Sequence, residues 1–168
     1  MIAGHGPCSY VFQRLLKLRP TNIVFLFAAS YLPDFFDKTI ALVFHMTGRG
    51  YFHSLTVMFS LYALTYIAAS KFRPDYREFV HLGAIYYALH LIFDFPDLKI
   101  IFWPYLGPIQ RTGHFAPLEH LNNYYILWQH PGMLSAEIMF ITIFIILKMK
   151  DSKPAKRIFN ETICDETD

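Results

Sequence analysis

His90 and Asp94 lie four residues apart in an otherwise apolar run, so on a helix both side chains project from one face about one turn apart and could hold the same cation or adjacent ones. A buried histidine ion-paired within its own helix is the plainer reading of that pair. Earlier, Leu32-Pro33-Asp34-Phe35-Phe36-Asp37 sets two carboxylates three residues apart at the end of an apolar stretch. Isolated charges there are costly to bury without partners or a metal. An aspartate capping a helix after Pro33, with Asp37 paired to Lys38 or Arg49, accounts for only one of the two. The run Gly48-Arg49-Gly50-Tyr51-Phe52-His53-Ser54 then brings a histidine to the start of the next apolar helix, its glycines allowing a close turn. His5, between Gly4 and Gly6, sits just ahead of the first helix. Taken alone, His5 and His53 read as surface or interface histidines. Taken with Asp34, His90, Asp94 and Asp37, they make a nitrogen and oxygen ligand set suited to a divalent metal: zinc, or manganese or iron.

The elements that must position these groups are apolar helices. Of the 168 residues 54% are hydrophobic, 18% aromatic and only 17% charged, outside the usual balance of a soluble domain. Four apolar stretches stand out: Asn22–Leu32, extended to His45 past an acidic interruption; Ser54–Ser70; Phe79–Phe95; and Leu134–Leu147. At about 1.5 Å per residue a stretch of about 14 to 17 residues reaches roughly 21–26 Å, short of the ~30 Å hydrocarbon layer, so flanking residues or a thinned bilayer must complete such a span. A wholly buried soluble bundle is the competing arrangement, and so many all-round apolar helices with so little charged surface argue against it. Ahead of them, Pro7 can start a short helix through Leu18 that Pro20 stops. The expected fold is therefore all-α: a polytopic membrane helix bundle of about four apolar helices plus a short N-terminal helix. It forms one membrane-embedded domain over 1–147, followed by a polar tail at 148–168.

Charge position supports a topology. Arg14, Lys17 and Arg19, then Lys71, Arg73 and Arg77, then Lys148, Lys150, Lys153, Lys156 and Arg157 fall on one side when the chain is followed back and forth. By the positive-inside rule that side and the C-terminus are cytoplasmic, which puts the His and Asp cluster toward the outer face. Lys38, Arg49, Lys99 and Arg111 run against the bias. The formal net charge of only +2 gives no broad basic surface for nucleic acid, and none is expected as a partner. Cys8 and Cys164 have no metal-type spacing. The opening residues lack the pattern of a cleavable signal, so the N-terminus is expected to be retained. The connection 96–133, rich in Trp, Pro and His, suits an interfacial cap over the helix ends.

An N-terminal His5, Leu32-Pro33-Asp34 with Asp37, Arg49-Gly50-Tyr51-Phe52-His53-Ser54 and His90-Leu91-Ile92-Phe93-Asp94 follow one another in an order and spacing that resembles the membrane-bound, metal-dependent hydrolases described as LexA-binding and inner-membrane-associated. The resemblance covers about residues 5 to 108, with Trp103-Pro104 and Gly107 matching a late Trp-Pro and Gly of that family. The family is itself distantly similar to zinc-dependent phospholipases C and single-strand nucleases. The resemblance implies a bacterial inner-membrane location and phosphoester chemistry. Gly48-Arg49 departs from the family's His-Arg, and His114, Glu119, His120 and His130 reproduce no later ligand turn. They stand as second-rank candidates.

On this reading His5, Asp34, His53, His90 and Asp94 are the expected metal ligands of a hydrolase that works through an acidified water. Asp37 is the candidate for a supporting carboxylate or general base, and Arg49 for a group pairing with an anionic substrate. A site at the membrane boundary meets membrane lipid most easily, so an amphiphilic phosphoester or ester is the expected substrate. The alternative is a non-enzymatic membrane protein whose His and Asp cluster binds or conducts a cation. Conduction sits poorly with the lack of a second polar cluster or an inverted repeat.

Overall fold

The computed structural model describes residues 4–44, 50–94, 98–109 and 131–164. Among these the chain is helical and no strand occurs. We number the helices α1 (His5–Leu15), α2 (Ile23–Phe44), α3 (Leu55–Phe72), α4 (Arg77–Asp94), α5 (Leu98–Ile101) and α6 (Pro131–Cys164).

Helix α1 ends earlier than its apolar pattern through Leu18 suggested. Lys17 turns to a positive φ of 51°, and the Leu16, Lys17 and Leu18 amides fold back onto Phe12, Arg14 and Gln13 carbonyls. The Gln13 side chain then donates to Arg19 O and Thr21 Oγ1 at 2.9 and 3.0 Å, holding the α1–α2 corner closed. Asn22 caps α2 by accepting from the Val24 amide at 2.8 Å. Helix α2 runs unbroken through Pro33 and through the acidic residues expected to interrupt it. Pro33 has no N–H to donate one turn back, yet it is buried and the helix continues, so Asp34 is an interior helical residue and not a cap. Ser54 caps α3, its hydroxyl accepting from the Val57 amide at 3.2 Å. A 3₁₀ turn, Pro74–Tyr76, leads from α3 into α4.

Helices α2 and α4 form the centre. Leu26 of α2 and Leu82, Tyr86 and Leu89 of α4 bury together with Tyr10 of α1, while Met58 of α3 packs with Tyr87 and Leu91 on another part of α4. Helix α6 lies against α1 and α4 through Phe144 on Tyr10 and Phe140 on Phe93, ring centres 5.1 and 5.6 Å apart. Its backbone stays helical past Lys148, across the boundary expected between domain and tail. Residues 98–109 fold over the start of α3, where Thr56 donates to the Trp103 carbonyl at 2.6 Å and Tyr51 packs edge-on to Trp103. Residues 96–97 and 110–130 of that connection, including His114, Glu119, His120 and His130, lie outside the described residues, as does Arg49.

Outside this core the bundle presents Val24, Phe35, Leu42, Phe59, Leu64 and Ile67 to its surroundings. By length and composition, α3 is the described helix that is long and apolar enough to cross a membrane. Helix α2 carries Asp34, Asp37 and Lys38 near its middle, and α4 carries Arg77 and Glu78 at its start and Asp94 at its end.

Candidate metal centre

Four segments far apart in sequence converge at one end of the bundle. The first turn of α1 supplies His5, the middle of α2 Asp34 and Asp37, the 3₁₀ turn Tyr51–His53 its last residue, and the final turn of α4 His90 and Asp94. His5, His53 and His90 are each 2% exposed or less. The helix approach that makes this possible uses small residues: Ser30 donates to Ser9 at 2.8 Å across the α1–α2 contact, and Gly6 lies against the Phe27 ring.

His53 is the hub. Its Nδ1 meets Asp37 Oδ2 at 2.6 Å. Asp37 is itself held by the backbone amides of Gly50 at 2.8 Å and Phe52 at 3.1 Å. The Tyr87 hydroxyl donates to the Phe52 carbonyl and pins the turn to α4. With Nδ1 committed to Asp37, His53 Nε2 faces Asp34 Oδ1 and Asp94 Oδ2, each at 3.5 Å, and His90 Nε2 at 3.2 Å. On the other side His5 Nε2 is 3.8 Å from Asp94 Oδ1, and the His5 and His90 rings lie with centres 4.1 Å apart. Burial opposes charging His53, but hydrogen bonds and charge from Asp34 and Asp37 outweigh it and raise its pKa to about 9.

Two sets of donor atoms, His5 with Asp34 and His90, and His53 with His90 and Asp94, each lie within 4.8 Å of one another. The residues fit a divalent cation on two independent grounds. First, ligand atoms about 2.0–2.2 Å from a tetrahedral cation stand about 3.3–3.6 Å apart, which is close to the 3.2–3.5 Å separations around His53 Nε2. Secondly, the Nε2 atoms of His53 and His90 and the Asp34 and Asp94 carboxylates form a buried group that draws a positive charge to its centre, a role that a proton on His53 fills in the free protein and a cation could fill in its place. Three carboxylates, Asp34, Asp37 and Asp94, stand against Lys38, leaving two negative charges with neutral histidines and one with His53 protonated.

All five expected ligands and Asp37 thus come together. Asp37 lies behind His53, on the side away from Asp34 and Asp94. Lys38 pairs with Asp34 at 2.8 Å, not with Asp37, following the one-turn spacing of a helix. Sequence reasoning did not find three features: the two amides on Asp37, the Tyr31 ring set edge-on to His5, and Glu137 of α6, 4% exposed. Glu137 carried a signal as a lone acid in an apolar run. The amides carried none, since backbone donors leave no trace in residue type.

No curated protein and no solved structure matches the chain. A family model described as YdjM inner membrane protein matches residues 2–155, nearly the whole chain. The buried, charge-bearing helix bundle is accordingly a membrane protein, and the chain belongs to the YdjM inner membrane protein family.

Proposed function

We propose that this protein is a membrane-bound, metal-dependent hydrolase acting on a phosphoester or ester of an amphiphilic, lipid-like substrate. One observation carries the reading: His53 Nε2, with its partner nitrogen taken by Asp37, faces Asp34, Asp94 and His90 within 3.5 Å in a buried cluster. A divalent cation in such a site supplies an acidified water and a counter-charge for the anion that develops at phosphorus or carbonyl. His5, Asp34, His53, His90 and Asp94 are the residues that would hold it, with zinc favoured by the mixed His and Asp donors and manganese or iron as alternatives. Asp37 orients His53 and makes it a better donor. Lys38 neutralises one oxygen of Asp34.

The membrane setting supports the substrate class. We propose a polytopic arrangement in which α2, α3, α4 and residues 134–147 of α6 cross the bilayer. Two ion pairs, Arg14 with Asp151 and Arg19 with Glu78, tie α1 to α6 and the α1–α2 corner to α4. From Glu78 to Asp94, α4 rises about 24 Å, close to the hydrocarbon thickness. That separates a basic layer from the metal centre and favours the basic ends and the C-terminus as the cytoplasmic side. A cysteine added after Asp168 is expected to resist a membrane-impermeant reagent in intact cells; labelling there would overturn the orientation.

Elemental mass spectrometry of detergent-purified protein, without a histidine tag, tests the centre itself. Near-stoichiometric zinc, manganese or iron in the wild type, lost in His90→Ala and Asp94→Asn, is the expected result and justifies a lipid phosphoester hydrolysis screen. Well-folded wild type without metal would overturn the hydrolase. Metal with no difference between wild type and ligand variants in the screen would leave a cation-binding membrane protein.

A further inference from the structure

The turn from α3 into α4 gathers cations at the end of the bundle away from the candidate centre. Lys71, Arg73 and Arg77 are all exposed there. Glu78 pairs with Arg19, so within residues 71–78 only Asp75 stands against three cations. Lys71 lies over the Phe72 ring and Arg73 over the Tyr76 ring, 5.3 and 5.2 Å from their centres. Arg77 donates to the Ser70 carbonyl at 3.3 Å, tying the end of α3 to the start of α4. Phe72 and Tyr76 are themselves 70% and 49% exposed. Exposed rings that carry cations at a helix end suit the boundary between hydrocarbon and head groups.

A second polar group lies one turn further in. His81 follows Arg77 by four residues, so both project from one face of α4, about 6 Å apart along its axis. The exposed His81 imidazole meets two tyrosines of α3. Its Nδ1 lies 2.9 Å from the Tyr62 hydroxyl, and the rings of Tyr62, Tyr66 and His81 touch one another with centres 5.1–5.8 Å apart. Ionisable side chains within membrane helices ordinarily face the bundle interior or a polar cavity. An exposed imidazole at this depth therefore calls for a polar partner from outside the chain.

We infer that the α3–α4 hairpin binds the head group of an anionic phospholipid, with its phosphate against Arg73 and Arg77 and an ester oxygen on His81. The site is independent of the hydrolase reading and rests on α3 and α4 crossing the bilayer. Charge is the first support: guanidinium groups hold phosphate through paired N–H donors, and basic clusters beside membrane helices attract anionic lipids. Depth is the second. Head groups and esters occupy about 5–8 Å on each side of the hydrocarbon core, which matches the step of about 6 Å from Arg77 to His81. Where Tyr62 donates to Nδ1, the His81 Nε2 carries the N–H that an ester carbonyl accepts. In a two-fold contact the same patch faces itself, so a second copy of the chain would set these cations against their own kind, whereas a phosphate answers them.

The test uses the whole protein in nanodiscs of equal phosphatidylglycerol and phosphatidylcholine, with the lipids retained on release counted by native mass spectrometry. Wild type is expected to keep phosphatidylglycerol over phosphatidylcholine by about tenfold, a preference of about 1.4 kcal/mol. Arg73→Gln combined with Arg77→Gln should abolish the preference, and His81→Phe, which keeps the ring packing, should cut it about fivefold. Lys17→Gln combined with Lys150→Gln removes the same charge at the same end of the bundle and should leave it unchanged. Arg77 also holds the hairpin together, so Arg73→Gln alone guards against misfolding and should lower the preference at an unchanged melting temperature. Labelling of Leu64, 65% exposed on α3, by a lipid with a photoreactive acyl chain checks the crossing separately, so failure of the topology and failure of the site are told apart. No preference in wild type, an unchanged one in the arginine or histidine variants, or an equal loss in the lysine variant overturns the site. So does a wild type recovered as a lipid-free dimer that His81→Phe separates, which would give this face to a second copy.

Discussion

His53 Nδ1 and the Asp37 carboxylate stand 2.6 Å apart, and this contact decides what the other ring nitrogen can do. With Nδ1–H directed at Asp37, Nε2 is the nitrogen that faces the cluster, where it would offer its lone pair to a bound cation once its own proton is lost, and the carboxylate raises its basicity. Asp37 is also held by the Gly50 and Phe52 amides, which fixes the carboxylate beside His53.

Asp37→Asn keeps the size of the side chain and removes its charge. Metal affinity, measured by chelator competition, is expected to fall about 10–100-fold while the protein remains folded. Asp37→Ala also strips both amides of their acceptor and should cost about 1–3 kcal/mol of stability in addition. Unchanged affinity in the asparagine variant would remove Asp37 from the site.

Gly50 is needed for closeness. A Cβ at this position would sit 3.1 Å from Asp37 Oδ1, so Gly50→Ala must push the carboxylate aside by a few tenths of an ångström. A weaker version of the Asp37→Asn phenotype is expected, with metal affinity reduced and the thermal midpoint in detergent lowered by the equivalent of about 1 kcal/mol.

At Gly6 the obstacle is the Phe27 ring, 2.7 Å from an added Cβ. Gly6→Ala should destabilise by about 1–3 kcal/mol, and Phe27→Leu, which withdraws the ring, should restore part of that loss in the double variant. Additive losses would show that the two residues do not press on one another.

Away from the site, Tyr10 and Arg14 of α1 both hydrogen-bond Asp151 of α6 and hold its carboxyl below the usual range. A depressed carboxylate contributes stability that is present above its unfolded value near 4 and is lost as pH falls through its folded value. Asp151 is well exposed, 38% in its side chain, so water screens the pair and the contribution is expected to be under about 1 kcal/mol. Melting curves of wild type and Asp151→Asn should differ slightly at pH 7 and coincide once pH drops below that folded value. A gap that widens on acidification would contradict the assignment.

Much of this arrangement was legible beforehand, and the exceptions have physical causes. His90 and Asp94, one turn apart, were bound to share a face, and apolar runs alternating with basic clusters brought His5, Asp34 and His53 to the same end. The α2 interruption was misread because two aspartates in an apolar run look like a helix end when their partners are unknown. Once His53 and Lys38 meet them, the helix has no reason to stop at Pro33. Likewise, the pairing of Lys38 with Asp34 and not Asp37 follows from helix phase, which could be applied only after α2 was known to continue. The amides of Gly50 and Phe52 could not be read at all, since every residue type but proline offers one.

The convergence of residues from 5 to 94 also bears on how the protein is made. His5 leaves the ribosome long before Asp94, and until α4 has been inserted and packed against α2, no cation can find more than part of its cage. A tightly held metal would therefore favour the fully assembled bundle over every partly inserted form, acting as a clasp that closes last and marks the end of biogenesis.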